Sequence, residues 1–237
     1  MLLLVSALAP SAALLYYFYT RDKYEKEPRR LLLKAFLMGG GLVIPVLFVE
    51  MKLNIFEMAD LSLLTAGYTA FVVAGLVEES SKFLLFFFYI WKNREFNEMY
   101  DGIVYAVFIS LGFATVENLA YVLSTGFDTA LVRSLTAVPA HALFAVAMGY
   151  YLGIAKFAKP QYRQKFIWLG FITPIMLHGI YDFILFSQKF NMLLFFLPYM
   201  LYLWKSGLRH VDELVEFSPF RRTKEDGPDN TENTENH

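Results

Sequence analysis

The stretch Glu78-Glu79-Ser80-Ser81-Lys82 sets two carboxylates and an ammonium inside an otherwise apolar run from Leu61 to Trp91. An ionisable side chain near the centre of a bilayer costs about 2.5–3.5 kcal/mol on insertion scales, so a plain membrane anchor has no reason to carry three. Four more such residues interrupt apolar segments. Glu117 lies in SLGFATVENLAYV, His141 follows Pro139 in AVPAHALFAVAMGYYLG, and His178 and Asp182 lie in PIMLHGIYDFIL. The last two are four residues apart and therefore share one helix face. A set of Glu, Asp and His in a wet membrane cavity supports three kinds of chemistry. A carboxylate can take a proton from water while His stabilises the oxyanion of a hydrolysed amide. The same residues can ligate a divalent metal such as zinc and lower the pKa of its water. They can also relay protons or ions across the membrane. The helical zinc signature H-E-x-x-H is absent, so no known ligand spacing indicates a metal. The residues alone leave all three open.

The elements that must position these groups are membrane helices. The 237 residues are 57% hydrophobic and 18% charged, against about 45–50% and about 25% for a soluble globular chain. There is no cysteine, which excludes disulfides, thiolate ligands and a cysteine nucleophile. The net charge of −1 offers no electrostatic case for nucleic acid. Apolar segments fall at about 1–20, 31–50, 61–91, 102–123, 134–155, 166–186 and 191–208. Most approach the ~20 residues needed to span; the third, as one helix, would measure roughly 46 Å and must tilt, protrude or break. The expected fold is all-α: a polytopic bundle of about seven transmembrane helices in residues 1–210, with a cytoplasmic tail over 211–237 that is disordered towards its end.

Orientation follows from the basic residues. With the N-terminus outside, the cytoplasmic segments hold seventeen Lys and Arg, the external ones only Lys52, Arg133 and Lys189, and Lys82 stays in the membrane. Breaking the third segment into a hairpin at Glu78 would reverse every later loop, so one continuous helix is expected there. Glu117, His141 and His178 then lie about 6, 7 and 8 residues from the external ends of their helices. Antiparallel helices thus bring them to one layer between midplane and outer surface.

Each residue also has a plainer reading. Glu78 and Lys82, at i,i+4, make a pair that merely lets the helix insert. Adjacent residues point about 100° apart, so one ammonium is expected to serve only one of the two glutamates. His178 with Asp182 can be a packing histidine with its hydrogen-bond partner, and His141 an interfacial residue. Gly39-Gly40-Gly41 and Gly149-x-x-x-Gly153 suit helix packing better than chemistry.

The combination resembles the PrsW family of intramembrane proteases. Glu78-Glu79-x-x-Lys82 matches the family's first motif, Phe113-x-x-x-Glu117 its second and His178-x-x-x-Asp182 its last. The loop RDKYEKEP and the context YDGIVYAVFISLGFATVEN are similar too, and the likeness runs from the first helix to about residue 210. The resemblance implies a multi-pass protein of the bacterial cell membrane. Its expected partners are the bilayer and a single-pass anti-sigma factor, in which it makes the first, extracytoplasmic cut of an envelope-stress response. The wider superfamily includes the CAAX prenyl endopeptidases, in which the first Glu of a similar pair activates water, and a non-catalytic scaffold subunit of gamma-secretase.

These lines give an intramembrane endopeptidase with Glu78, Glu79 and His178 as catalytic residues, supported by Lys82, Glu117, His141 and Asp182. Whether a metal takes part, and which glutamate is the base, the sequence leaves open. A proton-coupled transporter or a non-catalytic scaffold are the competing readings; a transporter would spread its charged groups along a path rather than gather them in one layer.

Overall fold

The computed structural model describes residues 2–54, 62–125 and 127–221. The start of the third apolar segment at Leu61 and the tail from 222 onward lie outside the described residues. Among those described the chain is all-α, a helical membrane bundle without strands. Its principal helices are α1 (Leu2–Arg21), α2 (Arg29–Leu53), α3 (63–90), α4 (Met99–Thr125), α5 (Ala137–Phe157), α6 (Pro160–Phe186) and α7 (Phe196–Glu216). A short helix, Phe127–Leu135, leads into α5.

Local sequence explains where these helices begin. Pro160 opens α6 in the first turn, where its missing N–H is no loss. Ser62 caps α3 by accepting the Thr65 N–H at 3.1 Å. Leu42 keeps a right-handed helical conformation, so α2 runs on without a break towards Leu53. By length and composition, α2, α4, α5 and α6 can each cross a membrane. Leu37, Ile44, Leu64 and Phe88 are largely exposed, an apolar coat that suits lipid.

α4 and α5 are the inner pair. Both are apolar on nearly every side and buried for most of their length, as helices surrounded by other helices must be. α3 is helical through Glu78 with no hairpin, but its winding changes. Thr69–Leu76 and Phe86–Ile90 are π-helical, and the α-helical turn pair Val77–Leu85 between them carries both glutamates and Lys82. Wider π turns within α-helices are concentrated at functional sites.

Glycines set the closest approaches. A Cβ on Gly112 would collide with the Phe36 carbonyl of α2, and one on Gly149 with the Gly102 carbonyl of α4; Gly153 meets Met99 in the same way. Gly39 and Gly40 pack on α4, whereas Gly41 has nothing near it. Beside the glutamates, a Cβ on Gly75 would lie 3.2 Å from the backbone of Ile175 and Gly179 in α6. These are backbone contacts that no rotamer change relieves. Gly112→Ala is expected to lower stability by about 1–3 kcal/mol or to prevent assembly, read from thermal unfolding of the purified protein in detergent.

Where α1 joins α2 and α4 begins, the bundle buries Asp22, Glu27, Glu98 and Asp101. Burial pushes Asp22 up to about 7, with Glu98 nearby adding to the effect. Burial likewise raises Glu98 to about 7. A carboxyl whose folded pKa is raised binds its proton more tightly in the native state. Its stabilising contribution is therefore complete below the unfolded value near 4 and lost as pH rises through about 7. In buffer free of divalent cations, the melting temperature should fall between pH 5 and pH 8.

Candidate active site

The polar residues of four helices meet around one ammonium. Lys82 Nζ lies 3.0 Å from Glu78 Oε2, 2.7 Å from Glu79 Oε1 and 3.2 Å from His141 Nδ1. It also sits 4.4 Å from the centre of the Phe113 ring, on α4. The expectation that one lysine serves only one glutamate is corrected by this geometry. What matters is each residue's azimuth relative to Lys82, not to its neighbour. At 100° per residue Glu79 lies about 60° to one side of Lys82 and Glu78 about 40° to the other, so a long flexible side chain reaches back to both.

From this centre two histidine chains run outward. His178 Nδ1 is 3.0 Å from Glu79 Oε1, and His178 Nε2 is 3.2 Å from Asp182 Oδ2. The imidazole stacks on Phe144 with ring centres 5.0 Å apart. His141 Nε2 is 3.1 Å from Glu117 Oε2, and that carboxylate is met by Arg133 Nη2 at 2.9 Å. Ser110 Oγ on α4 donates to the His141 carbonyl at 2.9 Å, fixing α5 beside α4 at this level. All seven residues picked out in the sequence are thus brought into one network.

The two glutamates differ in access. A cavity of about 440 Å³ is lined by Glu78, Glu117, His141, His178 and Asp182, among others, but not by Glu79. Glu79 is fully buried, its Oε1 held by Lys82 and His178. Glu50 and Arg133 line the same cavity, and neither stood out in the sequence. Glu50 closes an apolar segment and looks interfacial, and Arg133 counts as an ordinary external loop charge. Only the contact of the 127–135 helix with the site reveals the second.

The donor set suits a metal in kind. Glu78, Glu79, His141 and His178 each offer one ligand atom, all buried and within 4.8 Å of one another. Glu79 Oε2 is buried with no hydrogen-bond partner. Two imidazoles and two carboxylates are acceptable zinc ligands, so the residues fit a divalent ion, although Lys82 holds three of the same four groups. Removing that lysine would leave two buried carboxylates without a cation. Lys82→Met is expected to cost about 3–5 kcal/mol of stability, measured by thermal or denaturant unfolding, while Lys82→Arg should lose less.

A family described as PrsW family intramembrane metalloprotease matches residues 27–204. The chain is 43% identical over 214 residues to a Protease PrsW of Geobacillus kaustophilus, covering 89% of this chain and 91% of that one. It is 40% identical over 210 residues to the Protease PrsW of Bacillus subtilis, with 88% and 94% covered. Against that of Clostridioides difficile it is 35% identical over 224 residues, with 91% and 92% covered. No solved structure matches the chain.

Proposed function

The chain belongs to the PrsW family of intramembrane proteases, bacterial multi-pass membrane peptide hydrolases, and from that membership we propose that its buried Glu/His network cleaves a single-pass membrane anti-sigma factor near the external surface. The observation that carries this reading is the cavity itself. It joins Glu78, His178 and Asp182 to Asn54, Val132 and Thr136 at the helix ends that carry few basic residues. On the positive-inside count those ends are external. A substrate segment unwound from its own helix at that level would present its amide to Glu78.

Within the cavity we assign Glu78 as the base that takes a proton from water, because it is the member of the pair that lines the cavity. This agrees with the resemblance to the prenyl endopeptidases. Glu79 acts behind it, holding Lys82 and His178 in place. His178 stands with Nδ1 at 3.9 Å from Glu78 Oε2 and with both ring nitrogens bound to carboxylates. From there it can donate a hydrogen bond to the developing oxyanion. The proton shared between His178 Nε2 and Asp182, at the cavity wall, is the one we assign to the leaving amine, and the proton that Glu78 took from water then replaces it on the His178–Asp182 pair, so that both groups regain their starting states. Glu117, tied to His141 and Arg133, holds the second histidine at the cavity edge. A divalent metal on Glu78, Glu79, His141 and His178 would add Lewis acidity and a more acidic bound water.

Glu78→Gln is expected to lower cleavage of a co-expressed anti-sigma factor by about 10²–10⁴-fold with the fold intact, read by immunoblot and melting temperature. Glu79→Gln should lower both together, because it unbalances Lys82. Full activity in Glu78→Gln, Glu79→Gln and His178→Ala would overturn the catalytic reading. Metal analysis of active protein, with a chelator control, tests the metal. The cysteine-free chain also permits a clean orientation test. Met51→Cys and Thr136→Cys, both at the cavity, should react with impermeant thiol reagents added outside; reaction from the cytoplasmic face alone would reverse the topology.

A further inference from the structure

The second concentration of buried carboxylates lies at the opposite end of α4. Asp101 and Glu117 are sixteen residues apart on that helix, roughly 24 Å at 1.5 Å per residue. Asp22, Glu25 and Glu27 come from the connection between α1 and α2; Glu98 and Asp101 come from the start of α4. Asp101 has no exposed surface, and Asp22 and Glu27 are each 1% exposed. Glu25, Glu27 and Asp101 present oxygens within 4.8 Å of one another.

The individual oxygens carry the inference. In each of three carboxylates one oxygen is tied by an N–H or hydroxyl of the protein and the other meets no such donor, the Glu27 and Asp101 carboxyls standing within hydrogen-bonding reach of each other. Asp101 Oδ2 accepts the backbone N–H groups of Asn97 and Glu98 at 2.8 Å each, and its Oδ1 is unpartnered. Glu27 Oε2 accepts the Tyr105 hydroxyl, and its Oε1 is unpartnered. Asp22 Oδ2 accepts the Glu27 N–H at 3.4 Å, and its Oδ1 is unpartnered. Glu25 Oε2 and Glu98 Oε2 are buried and unpartnered as well. Lys26, the adjacent lysine, donates instead to the carbonyls of Tyr19 and Asp22. Buried carboxylates oriented through one oxygen, with the other left over, are what ligands to a cation look like, since outer hydrogen bonds fix the direction of the ligating atom. Buried charges without such a partner are costly.

We propose that Glu25, Glu27 and Asp101, flanked by Asp22 and Glu98, form a second site that binds a hard divalent cation of the Mg²⁺, Ca²⁺ or Mn²⁺ class. The donors are all oxygens, which suits these ions and not the nitrogen- and sulfur-seeking metals. An ion there ties the α1–α2 connection to the first turn of α4, the helix that carries Glu117 at its far end. The site is distinct from the Glu/His cluster, and its existence does not depend on the catalytic reading.

Full-length protein in detergent or nanodiscs, stripped with chelator, is titrated with Mn²⁺ and followed by electron paramagnetic resonance. Melting temperature is measured in parallel with Mg²⁺ and Ca²⁺. Saturable Mn²⁺ binding, displaced by Mg²⁺ or Ca²⁺ and accompanied by a higher melting temperature, is expected. It should persist in His178→Ala and Glu78→Gln and weaken at least tenfold in Glu27→Gln or Asp101→Asn. Should those two variants fail to fold, Glu25→Gln, at a partly exposed position, should still weaken it. No saturable binding, or binding lost only with the Glu78 and His178 variants, overturns the proposal. So does a Glu27→Gln protein that melts higher than wild type and shows no response to any of the three ions. That result would mean Glu27 and Asp101 share a proton and not a metal.

Discussion

Everything at the candidate active site depends on one buried ammonium. Lys82 lies on the same helix as the two glutamates it neutralises, so the charge balance is local and needs no other element to have arrived first. The helix can enter the bilayer as a nearly self-compensated unit. The two histidines then attach to groups that Lys82 has already positioned: His141 to the ammonium, His178 to the far side of Glu79. Their other nitrogens reach Glu117 and Asp182, so two short hydrogen-bonded chains run outward from the lysine and each ends on a carboxylate. A buried network of this kind is stable only when nearly every member is satisfied. The unpartnered Glu79 Oε2 is its one exception at the centre.

Such a network requires helices closer together than large side chains allow. Gly75 lets α3 approach α6 one turn before Glu78, and Gly112, five residues before Glu117, lets α4 approach α2; Gly102 with Gly149 and Gly153 brings α4 against α5 at the far end of α4. The π turns on either side of Val77–Leu85 act in the same direction. A π turn inserts an extra residue and rotates the next stretch of helix about its axis, so the Glu-Glu-Lys segment can face inward while the rest of a long helix keeps apolar residues towards lipid. From its length the 31-residue run must tilt, protrude or break; its described part is helical without interruption from 63 to 90 and changes its winding on the way.

The all-α bundle and the convergence of seven named residues were legible in the sequence because both follow from short-range rules: hydropathy, charge bias and i,i+4 spacing. Which glutamate the lysine holds was not legible, for a geometric reason. Comparing Glu78 with Glu79 gives 100° of separation, and only measuring both from Lys82 shows that it lies between them. Glu50 and Arg133 were missed because they sit at the ends of apolar segments, where charged residues are ordinary. Their place at the cavity depends on how the 127–135 helix and the end of α2 fold over it, which is tertiary information. The carboxylates of the connection RDKYEKEP were noticed only as part of a family likeness. They reach the start of α4 across more than seventy residues of chain, a distance that no local pattern spans.

The two ends of α4 pose the same electrostatic problem and meet it differently. At the Glu117 end, four carboxylates and two imidazoles surround a covalently attached cation, and most of their oxygens and nitrogens are engaged. At the Asp101 end, five carboxylates gather where each has an oxygen left over, and Lys26 donates to backbone carbonyls. A covalent cation makes a cluster independent of its surroundings, which suits chemistry that must be ready whenever a substrate enters. A cluster that lacks one is completed from solution, by protons or by metal ions, and its stability follows their concentration. Between the two ends α4 is packed with Ile103, Val104, Val107, Ile109 and Leu111, all buried. No chain of polar groups joins the clusters through these residues. What the two clusters share is one helix, α4, with Asp101 in its first turn and Glu117 at the cavity near its other end.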